Sequence, residues 1–166
     1  MAQRPRPLPI SPGQESVWNY PRPATVEPAG VALRVVFAGV EVARTLAGWR
    51  TLETSHPPSY YLPRADVNMA LLQANPRTTF CEWKGRATYF DLRVGDRAAP
   101  AAAWSYPAPT TPFACLTDCI AFYPAAMDAC FVDEEQVTAQ PGGFYGGWIT
   151  DRIVGPFKGA PGSMGW

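Results

Sequence analysis

The sequence predicts a mainly β fold, and two observations carry that prediction. Its 166 residues include 19 prolines and 14 glycines, too many breakers for a helical bundle and natural for short strands joined by tight turns. From Val31 onward the apolar residues are largely β-branched or aromatic and recur partly with period two, the spacing of a half-buried strand. A chain of this length fits one domain and is long enough to bury a substantial core.

Residues 1–15 are rich in proline and favour extended chain, so a flexible extension is expected there and a single domain over 16–166. Trp18 and Tyr20 are too aromatic for a free tail and are expected to insert into the folded body. Residues 32–38 and 40–46 alternate around Gly39 and read as a β-hairpin. Residues 51–54 and 59–62 read as strands broken by His56, Pro57 and Pro58, because consecutive prolines remove ladder donors.

Residues 63–72 read as one short helix, with Val67, Leu71 and Leu72 on a face and Pro76 beyond its end. Residues 77–83 and 87–94 flank Lys84 and Gly85 as a second hairpin. Residues 101–106 read as another strand, 113–123 fit either a short helix or a strand, and 129–132 resemble a strand entering a turn at Asp133 and Glu134. The last twenty residues are glycine-rich but carry Trp148, Ile149, Ile153, Val154, Phe157 and Trp166, an apolar load that predicts docked chain.

Lysine plus arginine equals aspartate plus glutamate at 14 each, so no net field draws the chain toward nucleic acid or anionic membrane. No stretch approaches the roughly 20 apolar residues of a membrane-spanning helix. The N-terminal residues have charge but no apolar core of a secretory signal, so a cytoplasmic location with four reduced cysteines is expected. Cys115 and Cys119 lack the tighter paired spacing of zinc ligands, and neither a metal nor a cofactor is expected. Nothing in the sequence specifies an oligomeric state.

Six blocks in order resemble the DUF427 family, a domain of unknown function. They are residues 17–23, 53–63, 81–85 with 87–89, 104–107, 121–124, and 144–150 through 154–159. The resemblance implies two antiparallel sheets meeting in a β-tent (Mss4-like) arrangement, with one or two short helices and a groove between the sheets. Methionine sulfoxide reductases of the R type and the cereblon ligand-binding domain share that architecture, but a shared fold does not carry function. The Cys-x-x-Cys knuckles of many such relatives are missing here.

The aromatic clusters point to a small-molecule ligand. Trp83, Trp104 and Trp148, with Tyr60, Tyr61, Tyr89 and Tyr145, would wall a groove for a partly flat molecule by stacking and cation–π contact; filling of the core is the alternative use of the same rings. Lys84, Glu53 and the single histidine, His56, would supply orienting polar contacts. Lys158, in a Gly-Pro-Phe-Lys-Gly run that lacks the phosphate-loop pattern, is a candidate partner for an anionic group. A small-metabolite enzyme is the rival reading, with Cys81 as a thiol nucleophile or Glu53 and His56 as an acid–base pair. A protein-interaction module is the third.

Overall fold

The computed structural model describes residues 3–166, and strands supply most of its regular structure. In chain order these are β1 (Glu15–Ser16), β2 (Thr25–Pro28), β3 (Leu33–Phe37), β4 (Val40–Thr45), β5 (Trp49–Leu52), β6 (Ser59–Pro63), β7 (Leu72–Cys81) and β8 (Gly85–Val94). They continue as β9 (Arg97–Ser105), β10 (Cys119–Phe122), β11 (Ala129–Val132), β12 (Glu135–Gln136), β13 (Thr138–Ala139), β14 (Trp148–Ile149) and β15 (Ile153–Val154). One antiparallel sheet of seven runs β2-β5-β6-β10-β9-β8-β7, and a second of four runs β12-β11-β3-β4. The mainly β, antiparallel expectation holds. Two short pairs complete the topology: β13 with β14, antiparallel, and β1 with β15, parallel.

Local chemistry explains the hairpins. Leu33, Val35 and Phe37 are buried while Arg34 and Val36 between them are half-exposed, the period-two signature of a strand with one face on a core. The β3–β4 connection is the two residues Ala38 and Gly39, both at positive φ (51° and 73°), the handedness that matches the twist of paired strands. The hairpin of β7 and β8 forms around Glu82–Lys84 as the sequence indicates.

The helix predicted over 63–72 does not form. Residues Arg64–Asp66 and Met69–Leu71 are single 3-10 turns, and Val67 between them is extended (φ −111°, ψ 136°) and bridges Ala43 of β4. The Asn68 amide donates to the Val42 carbonyl at 2.8 Å, so pairing with β4 outcompetes a weak local helix preference. Leu72 already opens β7, which continues through Pro76. That proline sits at a register irregularity on an edge strand, where a missing N–H breaks no ladder. Residues 113–123 divide between both readings, a 3-10 segment Thr111–Leu116 followed by β10.

Alternation along the seven-stranded sheet separates two apolar layers. Leu62, Leu92, Ile120 and Phe122 face one way and join Leu33, Val35, Phe37 and Val42 of the four-stranded sheet in one cluster. Tyr61, Tyr89, Trp104 and Ala121, one residue out of phase, belong to a second cluster on the other face. Every residue of β10 is buried for this reason.

Met1 and Ala2 of the expected extension lie outside the described residues. Further along it, the Leu8 amide donates to the Gly155 carbonyl at 3.1 Å and the Arg4 guanidinium lies 5.0 Å over the Trp18 ring. Among the described residues no helix is long and apolar enough to cross a membrane.

Candidate functional site

The aromatic face of the seven-stranded sheet is hollowed into a recess of about 320 Å³. Strand ends and the C-terminal segment meet there. The segment after β5 contributes Glu53 and His56, the β7–β8 turn contributes Cys81 and Lys84, and Tyr61 and Tyr89 come from β6 and β8. Trp104 and Tyr106 come from the end of β9, Tyr123 follows β10, and Gln140, Tyr145 and Lys158 arrive from the last third of the chain. Phe80 and Phe144 also line it and are 77% and 59% exposed, which puts two phenyl rings at its mouth.

Of the residues singled out from the sequence, Glu53, His56, Tyr61, Cys81, Lys84, Tyr89, Trp104, Tyr145 and Lys158 line this recess. Tyr60, Trp148 and Trp83 do not. Tyr60 is one residue out of phase with Tyr61 and so faces the opposite layer, where its ring lies 5.1 Å from that of Trp148. Trp148 is fully buried and its indole N–H donates to the Phe122 carbonyl at 3.2 Å. Trp83 is half-buried beside the second cluster, its carbonyl accepting from the Thr110 hydroxyl. Tyr106, Tyr123 and Gln140 were not anticipated. Tyr106 was legible, since it lies two residues beyond Trp104 in the strand read over 101–106; Tyr123 was not, because 113–123 fitted helix and strand alike, and Gln140 carried no signal.

Gln140 sets the state of His56. The Gly147 amide donates to Gln140 Oε1 at 3.0 Å, which fixes the orientation of the side-chain amide. Gln140 Nε2 then donates to the Lys158 carbonyl at 2.9 Å and faces His56 Nδ1 at 3.1 Å. A nitrogen that receives a donor must be the unprotonated one, so His56 carries its proton on Nε2. That atom lies 3.4 Å from Glu53 Oε2, and Arg22 lies 3.8 Å from the same oxygen. Burial, reinforced by the charges of Lys158, Lys84 and Arg22, lowers the His56 pKa from 6.5 to about 3. The imidazole is therefore neutral at pH 7, with the Tyr145 ring edge-on against it at 4.6 Å.

Two glycines let the chain approach this closely. A Cβ on Gly146 would run into the Trp104 ring, and one on Gly147 would stand 2.6 Å from Pro57 Cγ.

The Lys84 ammonium lies 5.8 Å from the centre of the Tyr106 ring and 5.9 Å from that of Phe113. Burial works against its charge, but Tyr61, Cys81 and Glu53 hold its pKa above the ordinary lysine value. Burial likewise pushes the phenols of Tyr61, Tyr106 and Tyr123 upward, so all three keep their protons and can donate. Cys81 is half-buried beside Lys84 and is a free thiol, as are Cys115, Cys119 and Cys130. Among the described residues no group of three or more histidine, cysteine, aspartate or glutamate side chains is arranged to hold a metal ion. The recess thus offers ring faces, neutral donors, the Glu53 carboxylate with that of Glu82 at the rim, and two ammonium groups.

Residues 25–133 match the model of a family described as a domain of unknown function (DUF427). No curated protein matches the chain. The matched stretch runs from β2 through β11 and includes Glu53, His56, Cys81, Lys84 and Trp104, while Gln140, Tyr145 and Lys158 follow it.

Proposed function

The chain belongs to the DUF427 family, whose description assigns no activity, and we propose that this member binds a small, partly flat ligand in the aromatic recess. One observation carries the reading: Trp104, Tyr61, Tyr106, Tyr123 and Tyr145 wall a single cavity that Glu53, His56 and Lys84 also line. A volume of about 320 Å³ stands at the small end of ligand pockets, roughly 300–1,000 Å³, which suits one ring system with a short substituent. Ring contacts are worth about 0.5–1.5 kcal/mol each, so stacking alone gives weak binding and the polar groups must add to it. The preformed hydrogen bonds of His56 and Gln140 reduce the ordering cost of that contribution.

Tryptophan fluorescence titration against nucleosides, cyclic imides and aromatic amino-acid derivatives tests the proposal. Trp104 is the indole that lines the recess, so a bound ring should give a saturable change in the wild type that disappears in Trp104→Phe. Silence across the whole set, or a response that Trp104→Phe leaves intact, overturns the reading.

A further inference from the structure

Lys84 and Lys158 both line the recess, and among the described residues neither forms an ion pair with an aspartate or glutamate side chain. Their surroundings differ. Lys158 Nζ donates to the Trp166 carbonyl at 3.2 Å and lies 5.9 Å over the Tyr145 ring. The Lys84 ammonium instead rests against Tyr106 and Phe113, which are 7% and 2% exposed, so it sits toward the packed floor. Ring faces attract a cation but offer no oxygen acceptor, so beyond its Cys81 neighbour the ammonium keeps donors to spare for an anion.

The recess also contains acid, and its arrangement matters. Glu53 is flanked by Arg22 and by the protonated nitrogen of His56. Glu82 is exposed at the rim, where water screens it. Neither forms an ion pair with the lysines, so the cationic end of the cavity is left for a ligand group.

We propose that the ligand of the recess bears an anionic group, a carboxylate or a phosphate, which Lys84 receives while the flat part of the molecule lies along the aromatic wall to which Trp104 contributes. Lys158 closes on the same group from the C-terminal segment. The proposal rests on the recess being a ligand site and adds the charge and polarity of what it takes. A neutral isostere of the same shape leaves Lys84 without a counter-charge, and that is the source of selectivity.

Matched pairs test it by isothermal titration calorimetry: indole-3-acetate against indole-3-acetamide, and adenosine 5′-monophosphate against adenosine. We expect at least one anion to bind about tenfold tighter than its neutral partner, the scale of one charge-assisted hydrogen bond. The pair that shows the advantage tells a carboxylate ligand from a phosphate one. Lys84→Met should erase the advantage and Lys84→Arg should retain it. Lys158→Met should reduce it, and added sodium chloride should weaken it in the wild type, so the prediction stands even if Lys84→Met fails to fold. Equal or weaker binding of both anions, or an advantage that survives Lys84→Met, overturns the anionic ligand while binding lost in Trp104→Phe would keep the recess itself as a site. Failure of all four probes to bind overturns the anionic ligand, and silence across the wider fluorescence set as well overturns the recess as a site.

Discussion

His56 shows how a single buried side chain makes stability depend on pH. In the folded chain it stays neutral down to about pH 3, whereas the unfolded imidazole protonates near 6.5. The unfolded state therefore takes up a proton that the folded state refuses, so stability is lost as pH falls from about 6.5 toward 3. The expected loss across that window is on the order of 5 kcal/mol. Urea denaturation between pH 4.5 and 7 should show this slope in the wild type and a flatter one in His56→Gln; equal slopes would assign it to other groups. Little of this was visible in the sequence. His56 stood out as the one histidine in a stiff Pro-Pro segment, but its tautomer is dictated by Gln140, 84 positions away, and no local pattern encodes such a partner. The division of the rings follows the same logic. Tyr60 and Tyr61 are adjacent in sequence and lie on opposite faces, so type alone could not assign both, while strand phase could.

At the scale of elements, the glycine loop between β13 and β14 builds one wall by lying against Trp104. Gly146→Ala would force its methyl group into that indole and should cost about 1–3 kcal/mol through overpacking, with a matching loss of ligand-induced fluorescence change. Gly143 in the same loop has open space where a Cβ would stand, and Gly143→Ala should leave both denaturation midpoint and titration unchanged. If the two variants behave alike, close approach at Gly146 is not what shapes the wall. The elements legible in the sequence are those whose signals are local: the Ala38-Gly39 turn and the Lys84-Gly85 corner each announce a hairpin within a few residues. Residues 63–72 were misread because their decisive partners, Val42 and Ala43, come from another strand. The pairing of β1 with β15 had no local signature at all.

Across the whole molecule, that parallel pair joins the first strand to the last. Trp18 anchors it, with its indole N–H donating to the Pro156 carbonyl at 2.9 Å and its ring edge-on to Trp166 at 5.6 Å. Glu15 of β1 is held in turn by Arg50 of β5 at 3.1 Å and by the Tyr20 hydroxyl at 2.8 Å. Trp18→Ala should cost about 3–5 kcal/mol and should weaken ligand binding as well, because Lys158 lies only two residues beyond Pro156 and its amide donates to the Ser55 carbonyl. Denaturation and calorimetric titration of the variant would reveal both losses; a destabilised protein with unaltered affinity would show that the chain ends and the recess are independent. The Trp18–Pro156 contact spans 138 positions, and pairings of such separation are slow to close because the intervening chain must be ordered first. On the ribosome, therefore, the hairpins of the large sheet can assemble while Gln140, Tyr145 and Lys158 are still being synthesised, and a nascent chain acquires its scaffold before the recess is walled on every side.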